Sequence, residues 1–118
     1  VKSRSQAIQD SLKAIDDGKS LMIFPEGGII SKNIPEMAAF KDGAFRIGIE
    51  KQIEIVPVTI PYNWIVLHPD KLQMNWRPTK LIFHEPISTK GLTLENVAEL
   101  KNKTFSIIEQ ELQTQLKR

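Results

Sequence analysis

The sequence predicts an α/β fold, a mixed sheet flanked by about three helices. Three observations carry this prediction. Apolar residues at helical spacing in residues 3–17 lead into the continuous apolar run Leu21-Met22-Ile23-Phe24; a β-branched stretch, 53–60, follows a second helical segment; and a longer helical pattern closes the chain.

The first helix rests on Ile8, Leu12 and Ile15, spaced three or four apart with charges between them, and Gly18 stands where a left-handed C-terminal residue is favoured. The run 21–24, stopped by Pro25 and followed by Gly27 and Gly28, reads as a fully buried strand ending in a tight turn. Residues 29–39 hold no period and contain Pro35, so an irregular loop is expected, longer than the ~4–6 residues of a plain connection. Asp42 is placed to cap a second helix through Glu50 or Lys51, with Phe45, Gly48 and Ile49 on one face; glycine there points to close packing. Residues 53–60 read as a core strand with a local irregularity at Pro57. Residues 72–76 and 80–84 flank Arg77-Pro78-Thr79 and are expected to pair antiparallel. Thr93 can cap a last helix in which Val97, Leu100, Thr104, Ile108 and Leu112 keep a 3–4 spacing.

Composition narrows the function. The chain has 118 residues, one domain or a segment of one, with 41% apolar and 25% charged residues, as in a folded globular protein. Sixteen basic against 14 acidic side chains give a net charge of +2, too small an excess to argue for nucleic acid. No cysteine is present, which removes disulfides, thiolate nucleophiles and Cys-based zinc sites, and the two histidines lie in no cluster of metal-ligand spacing. No cofactor is expected. The longest stretch free of formal charge, 55–67, contains two prolines and falls short of the ~20 residues a spanning helix needs. Val1 without an initiating Met reads as a processed end or as a cut inside a longer protein.

Two stretches are candidates for chemistry. A strand ending in Phe24-Pro25-Glu26-Gly27-Gly28 can expose consecutive backbone N–H groups to a phosphate, because no Cβ obstructs the approach. Glu26 repels a bare anion, so it is read as orienting a hydroxyl or a neighbouring cation; a plain β-turn with a surface Glu fits the same residues. Phe40-Lys41-Asp42-Gly43-Ala44-Phe45-Arg46 places two cations at a helix start, where Lys41 and Arg46 can hold a phosphate, or where a solvated end is merely capped by Asp42. Ile55-Val56-Pro57-Val58-Thr59-Ile60 is core unless an apolar ligand lies beside it. His68 and His84 are read as structural or surface residues. Trp64 and Trp76, with Tyr62, Lys71, Arg77 and Lys80, either form a belt resting on lipid headgroups or pack as core and rim.

Taken in order, Phe24-Pro25-Glu26-Gly27, Phe40-Lys41-Asp42-Gly43-Ala44-Phe45-Arg46 and Ile55-Val56-Pro57-Val58-Thr59-Ile60 resemble the glycerolipid acyltransferase family, specifically the 1-acyl-glycerol-3-phosphate acyltransferases. The resemblance covers about residues 3–87 and implies the C-terminal part of that fold. It implies transfer of a fatty acyl group from acyl-CoA or acyl carrier protein to a lysophospholipid, in phospholipid biosynthesis on the cytoplasmic face of a membrane. It further implies substrate contacts through Phe24, Pro25, Glu26, Gly27, Gly28, Lys41 and Arg46, and an acyl-binding wall of Val56, Pro57 and Val58.

Two departures qualify these expectations. The family's catalytic His-x4-Asp block, in which the His is general base on the acceptor hydroxyl, needs Asp five positions after His; His68 is followed there by Gln73 and His84 by Thr89. The chain alone is therefore expected to be inactive, a segment of an enzyme whose dyad lies upstream. Arg4 stands near the place of the family's second block, at a spacing to Phe24 that is short. Where the family continues with Thr-Arg-Ser, this chain has Gly28-Ile29-Ile30, so the phosphate-pairing Arg is missing. Either Lys32, Lys41 or Arg46 replaces it, with Lys41 and Arg46 preferred, or the acceptor is not lysophosphatidate. Two other readings stand beside the enzyme: a non-catalytic lipid- or phosphate-binding module, and an interaction domain using the last helix if that helix exposes Val97, Leu100 and Ile108. A segment also leaves an open strand edge, and self-association is expected.

Overall fold

The computed structural model describes residues 3–27, 36–66 and 74–117. Helix α1 spans Arg4–Asp16. Ser3 caps it by accepting the Gln6 N–H at 3.2 Å, and Gly18, at φ +79°, ends it. The Gly18 N–H reaches the Ile15 carbonyl at 2.9 Å and the Lys19 N–H the Ala14 carbonyl at 3.0 Å, the paired closure a left-handed residue makes possible.

The run 21–24 corrects the expectation of a buried strand. Among the described residues nothing pairs with it, and Leu21, Met22, Ile23 and Phe24 are 39%, 69%, 42% and 66% exposed. A continuous apolar run reports that both faces need cover, but not which residues supply the cover or the ladder partners.

Helix α2 spans Gly43–Glu50 and buries Phe45, Ile47, Gly48 and Ile49. A Cβ on Gly48 would stand 2.9 Å from Ile55 Cδ1, so the expected close packing is real. The helix ends through Gln52 at φ +51°, an uncommon conformation for a side-chain-bearing residue. Its amide compensates: Nε2 donates to the Ile49 carbonyl at 2.7 Å, and Oε1 accepts the Gly91 N–H at 2.9 Å. Lys51 and Asp16 pair at 2.8 Å, tying the end of α2 to the end of α1.

Strands β1 (Val58–Thr59) and β2 (Ile82–Phe83) pair antiparallel, Val58 opposite Phe83 and Thr59 opposite Ile82. An isolated bridge joins Ile55 to Ile87. Val56 and Pro57 thus face three residues, His84, Glu85 and Pro86, which is a bulge. This is the irregularity expected at Pro57, whose carbonyl accepts the His84 N–H at 2.9 Å although its own nitrogen cannot donate. The pairing expected between 72–76 and 80–84 is corrected in its partner: β2 pairs with β1, and residues 72 and 73 lie outside the described residues. A short helix α3, Asn63–Val66, follows β1.

A 3-10 turn, Leu94–Asn96, opens behind Thr93, whose N–H donates to Asn96 Oδ1 at 2.9 Å, and runs into α4, Val97–Leu116. The core joins Phe40, Phe45, Ile49, Ile87, Val97 and Leu100, with Phe105 and Ile108 packed against it. Val97 and Leu100 are 8% and 3% exposed and Ile108 is half-buried, so α4 does not present the face an interaction domain would need. Thr104, also buried, satisfies its hydroxyl on the Leu100 carbonyl at 2.9 Å. Among the described residues the fold is therefore helical with a small two-stranded sheet, compatible with part of an α/β domain. Among the described residues no helix is long and apolar enough to cross a membrane.

Candidate functional site

The bend after Phe24 is a tight turn closed by the Gly27 N–H on the Phe24 carbonyl at 3.1 Å, with Gly27 at φ +74°. That bond corrects part of the expected anion cradle. Pro25 has no N–H and that of Gly27 is already donated, while Gly28 lies outside the described residues. Glu26 is half-buried, and its Oε2 accepts the Ala38 N–H at 2.7 Å. The partner is a backbone amide, and the carboxylate pins the chain at residue 38 against the bend through a charge-assisted bond.

The segment leading into α2 is anchored on both sides of Lys41. Phe40 is buried, with its ring edge-on to Phe105 at 4.9 Å and 6.3 Å from that of Phe45. The Lys41 N–H donates to the Pro25 carbonyl at 2.8 Å. Asp42 occupies the N-cap position but makes no side-chain capping bond; its Oδ1 meets Lys101 Nζ of α4 at 2.7 Å instead. The capping role expected of Asp42 is thereby corrected, because a full cationic partner attracts the carboxylate more strongly than neutral amide donors do.

Held this way, the Lys41 side chain lies over the bend. A Cβ on Gly27 would fall 2.7 Å from Lys41 Nζ and 2.9 Å from its Cδ and Cε. Gly27 and Lys41 therefore face one another, and the absent side chain at 27 is what lets the lysine stem lie there. Among the described residues the Lys41 and Arg46 side chains, both exposed, have no hydrogen bond or ion pair. Lys32 lies outside the described residues. Lys41, a cation lying over the glycine turn, can bind an anion such as a phosphate, and Arg46 is a second such cation within the helix that follows; neither supplies a proton acceptor.

The apolar stretch divides by strand alternation. Val56 is 44% exposed and Val58 half-buried, whereas Pro57 is buried, so the three side chains do not form one continuous wall. His84 Nε2 lies 2.7 Å from the buried Thr59 hydroxyl, the structural role expected of it, and His68 lies outside the described residues. The expected belt also divides. Trp64 is half-buried with its indole N–H on the Pro61 carbonyl at 3.0 Å, Tyr62 is half-buried, and Trp76 is fully exposed; Lys71 is outside the described residues.

Sequence reasoning missed Lys101, which is 59 positions from Asp42 and carries no local signal. It also missed Gln115, buried on α4, whose Oε1 accepts from Lys80 Nζ at 3.1 Å. Gln115 follows Leu112 by three and continues the apolar spacing, so periodicity applied without regard to residue type would have found it.

Comparison with known proteins bears on what this site is for. The acyltransferase family matches residues 1–61. An uncharacterised acyltransferase of Schizosaccharomyces pombe is 30% identical over 105 residues, covering 86% of this chain and 38% of its own length. The 1-acyl-sn-glycerol-3-phosphate acyltransferase of Saccharomyces cerevisiae is 30% identical over 104 residues, covering 85% of this chain and 34% of its own length. The chain thus spans little more than a third of either relative. No solved structure matches. The matched residues contain the bend, Lys41 and α2 together, and on that match the chain belongs to the glycerolipid acyltransferase family.

Proposed function

We propose that this chain is the acceptor-binding part of a membrane-associated enzyme. The enzyme transfers a fatty acyl group from acyl-CoA or acyl carrier protein to a lysophospholipid such as 1-acyl-glycerol-3-phosphate, in phospholipid biosynthesis on the cytoplasmic face of a membrane. The observation that supports this most is the contact of the Lys41 stem with Gly27, which brings the bend and the cationic helix start to one place. The name of the yeast relative supports the choice of acceptor.

In this reading Lys41 and Arg46 hold the acceptor's phosphate as two charge-assisted contacts, taking the place of the arginine that Ile29 and Ile30 do not supply. Gly27 and Glu26 act through position: the glycine admits the lysine stem, and the carboxylate fixes the approach of the chain to α2. Phe24 and Pro25 shape the turn, Phe24 being exposed beside it, and Val56 and Val58 offer apolar surface to an acyl chain. Acyl transfer forms an ester bond from the acceptor hydroxyl oxygen to the thioester carbonyl carbon, breaks the carbon–sulfur bond and passes the hydroxyl proton to a base. Neither histidine here has the required Asp, so the chain binds and orients while another part of the enzyme abstracts the proton.

The test is to assay the full-length enzyme with labelled acyl-CoA or acyl carrier protein and a small panel of lysophospholipids. Lys41→Ala is expected to lower kcat/KM for a phosphate-bearing acceptor by roughly tenfold or more, the worth of one charge-assisted bond. Unchanged kinetics would remove Lys41 from the site.

A further inference from the structure

Asp42 stands four residues before Arg46, the separation at which a carboxylate and a guanidinium on one helix come within pairing reach. It is also the immediate neighbour of Lys41. Left alone, that carboxylate opposes an incoming anion and is the natural partner of the cation meant to receive it. The structure prevents this. Asp42 Oδ1 is 2.7 Å from Lys101 Nζ, while the Arg46 side chain makes no hydrogen bond or ion pair among the described residues.

Lys101 is well placed for such a task. Its side chain is 27% exposed, and the next residue back along α4, Leu100, is 3% exposed in the core shared with Phe45 and Ile49. A partly exposed ion pair of this kind adds only about 0–1 kcal/mol to stability, so holding the fold together is a weak account of it. Lys101 also lies beyond residues 1–61, the stretch the family matches.

We propose that Lys101 is a positioning residue of the acceptor site: by occupying Asp42 it keeps Arg46, and the adjacent Lys41, available to an anionic headgroup. The inference rests on the phosphate-binding reading above and adds a residue from α4 to it.

The experiment measures acceptor KM and kcat of the full-length enzyme with lysophosphatidate. Lys101→Met is expected to raise KM roughly three- to tenfold with kcat largely kept, the scale of one unscreened unit charge several ångströms away in a partly solvated site. Lys101→Arg keeps the wild-type KM, and Asp42→Asn combined with Lys101→Met returns KM to within about twofold of wild type. Asp42→Asn alone leaves α4 untouched and should give a KM equal to or below wild type; a rise there overturns the proposal even where Lys101→Met fails to fold. A Lys101→Met defect that Asp42→Asn does not rescue overturns it as well, since a merely structural lysine behaves that way. If Lys41→Ala raises KM while Lys101→Met does not, only the role of Lys101 falls. If Lys41→Ala has no effect, the phosphate-binding reading falls and this inference with it.

Discussion

The contact between Gly27 and Lys41 predicts a non-additive pair of substitutions. In Gly27→Ala the new Cβ is held at φ +74°, a conformation that costs a side-chain-bearing residue about 1–2 kcal/mol. It also falls 2.7–2.9 Å from Lys41 Nζ, Cδ and Cε. Those atoms form the far end of a flexible chain, so the lysine moves aside and the bend keeps its shape. Stability therefore falls by the backbone term alone, about 1–2 kcal/mol. Function falls because the ammonium is displaced. A hydrogen bond to a charged group contributes about 1.5–3 kcal/mol, and ~1.4 kcal/mol is tenfold, so complete loss of the lysine costs roughly 10- to 100-fold in kcat/KM for the acceptor. Gly27→Ala is expected to lose part of that range.

The assay is a cycle of four full-length proteins, wild type, Gly27→Ala, Lys41→Ala and the double variant, each measured for acceptor kcat/KM and for thermal unfolding. In the Lys41→Ala background, Gly27→Ala should keep its stability cost yet change kcat/KM by less than about twofold, because the side chain it displaces is gone. If the two kinetic losses multiply instead, Gly27 acts on the substrate by itself and the packing of the lysine stem is incidental.

Glu26→Gln retains an oxygen to accept the Ala38 N–H and should keep most activity, whereas Glu26→Ala should lose about 1–3 kcal/mol of stability; a Gln variant as impaired as Ala in acceptor kinetics would mean that the charge itself meets the substrate. Gly48→Ala puts a Cβ 2.9 Å from Ile55 Cδ1, an overpacking of about 1–3 kcal/mol against a helix gain of about 1, and Ile55→Val should recover part of the loss in chemical denaturation. Trp76→Ala should reduce vesicle binding of the full-length enzyme without lowering its unfolding temperature, and Trp64→Ala should do the reverse; matching changes in both would dissolve the distinction drawn from their exposure. Phe83 in β2 and Leu81 just before it, 66% and 53% exposed, should make the isolated 118-residue chain associate with rising concentration, and a clean monomer by sedimentation at high concentration would count against that.

What could be read from the sequence was what local chemistry determines. The helix at 3–17, its glycine stop, the helix from 43 to 50 and the long final helix each follow from spacing and end residues within one segment. The irregularity at Pro57 followed from a missing donor. What failed was choice of partner. Residues 80–84 read as one half of a hairpin because a turn sequence lay next to them, yet β2 found its ladder in Val58 and Thr59. Asp42 read as a cap for the same reason, since its position licensed a local bond and nothing nearby announced a lysine on α4. In the site, residue types pointed to Lys41 and Gly27 separately, and that one lies on the other is a tertiary fact; the donation of the Gly27 N–H to Phe24 is local, and the β-turn reading of the same residues allowed it.

These failures share a direction, and it bears on how the site is built. The residues that carry the family resemblance lie in the first half of the chain, but their arrangement is set by the second. Phe40 is seated against Phe105, Asp42 is bound by Lys101, and Phe45 and Ile49 share the core with Val97 and Leu100. Lys41 is flanked on both sides by residues that α4 holds, with the Pro25 carbonyl fixing its own backbone. A loop residue with an entropy-rich side chain would otherwise give up rotamer freedom at each binding event, at a cost of up to ~2 kcal/mol. Fixing its backbone and resting its stem on a glycine lowers that cost in advance, so that in the proposed acceptor-binding role a lysine would hold a phosphate without the pre-organised fork of a bidentate arginine.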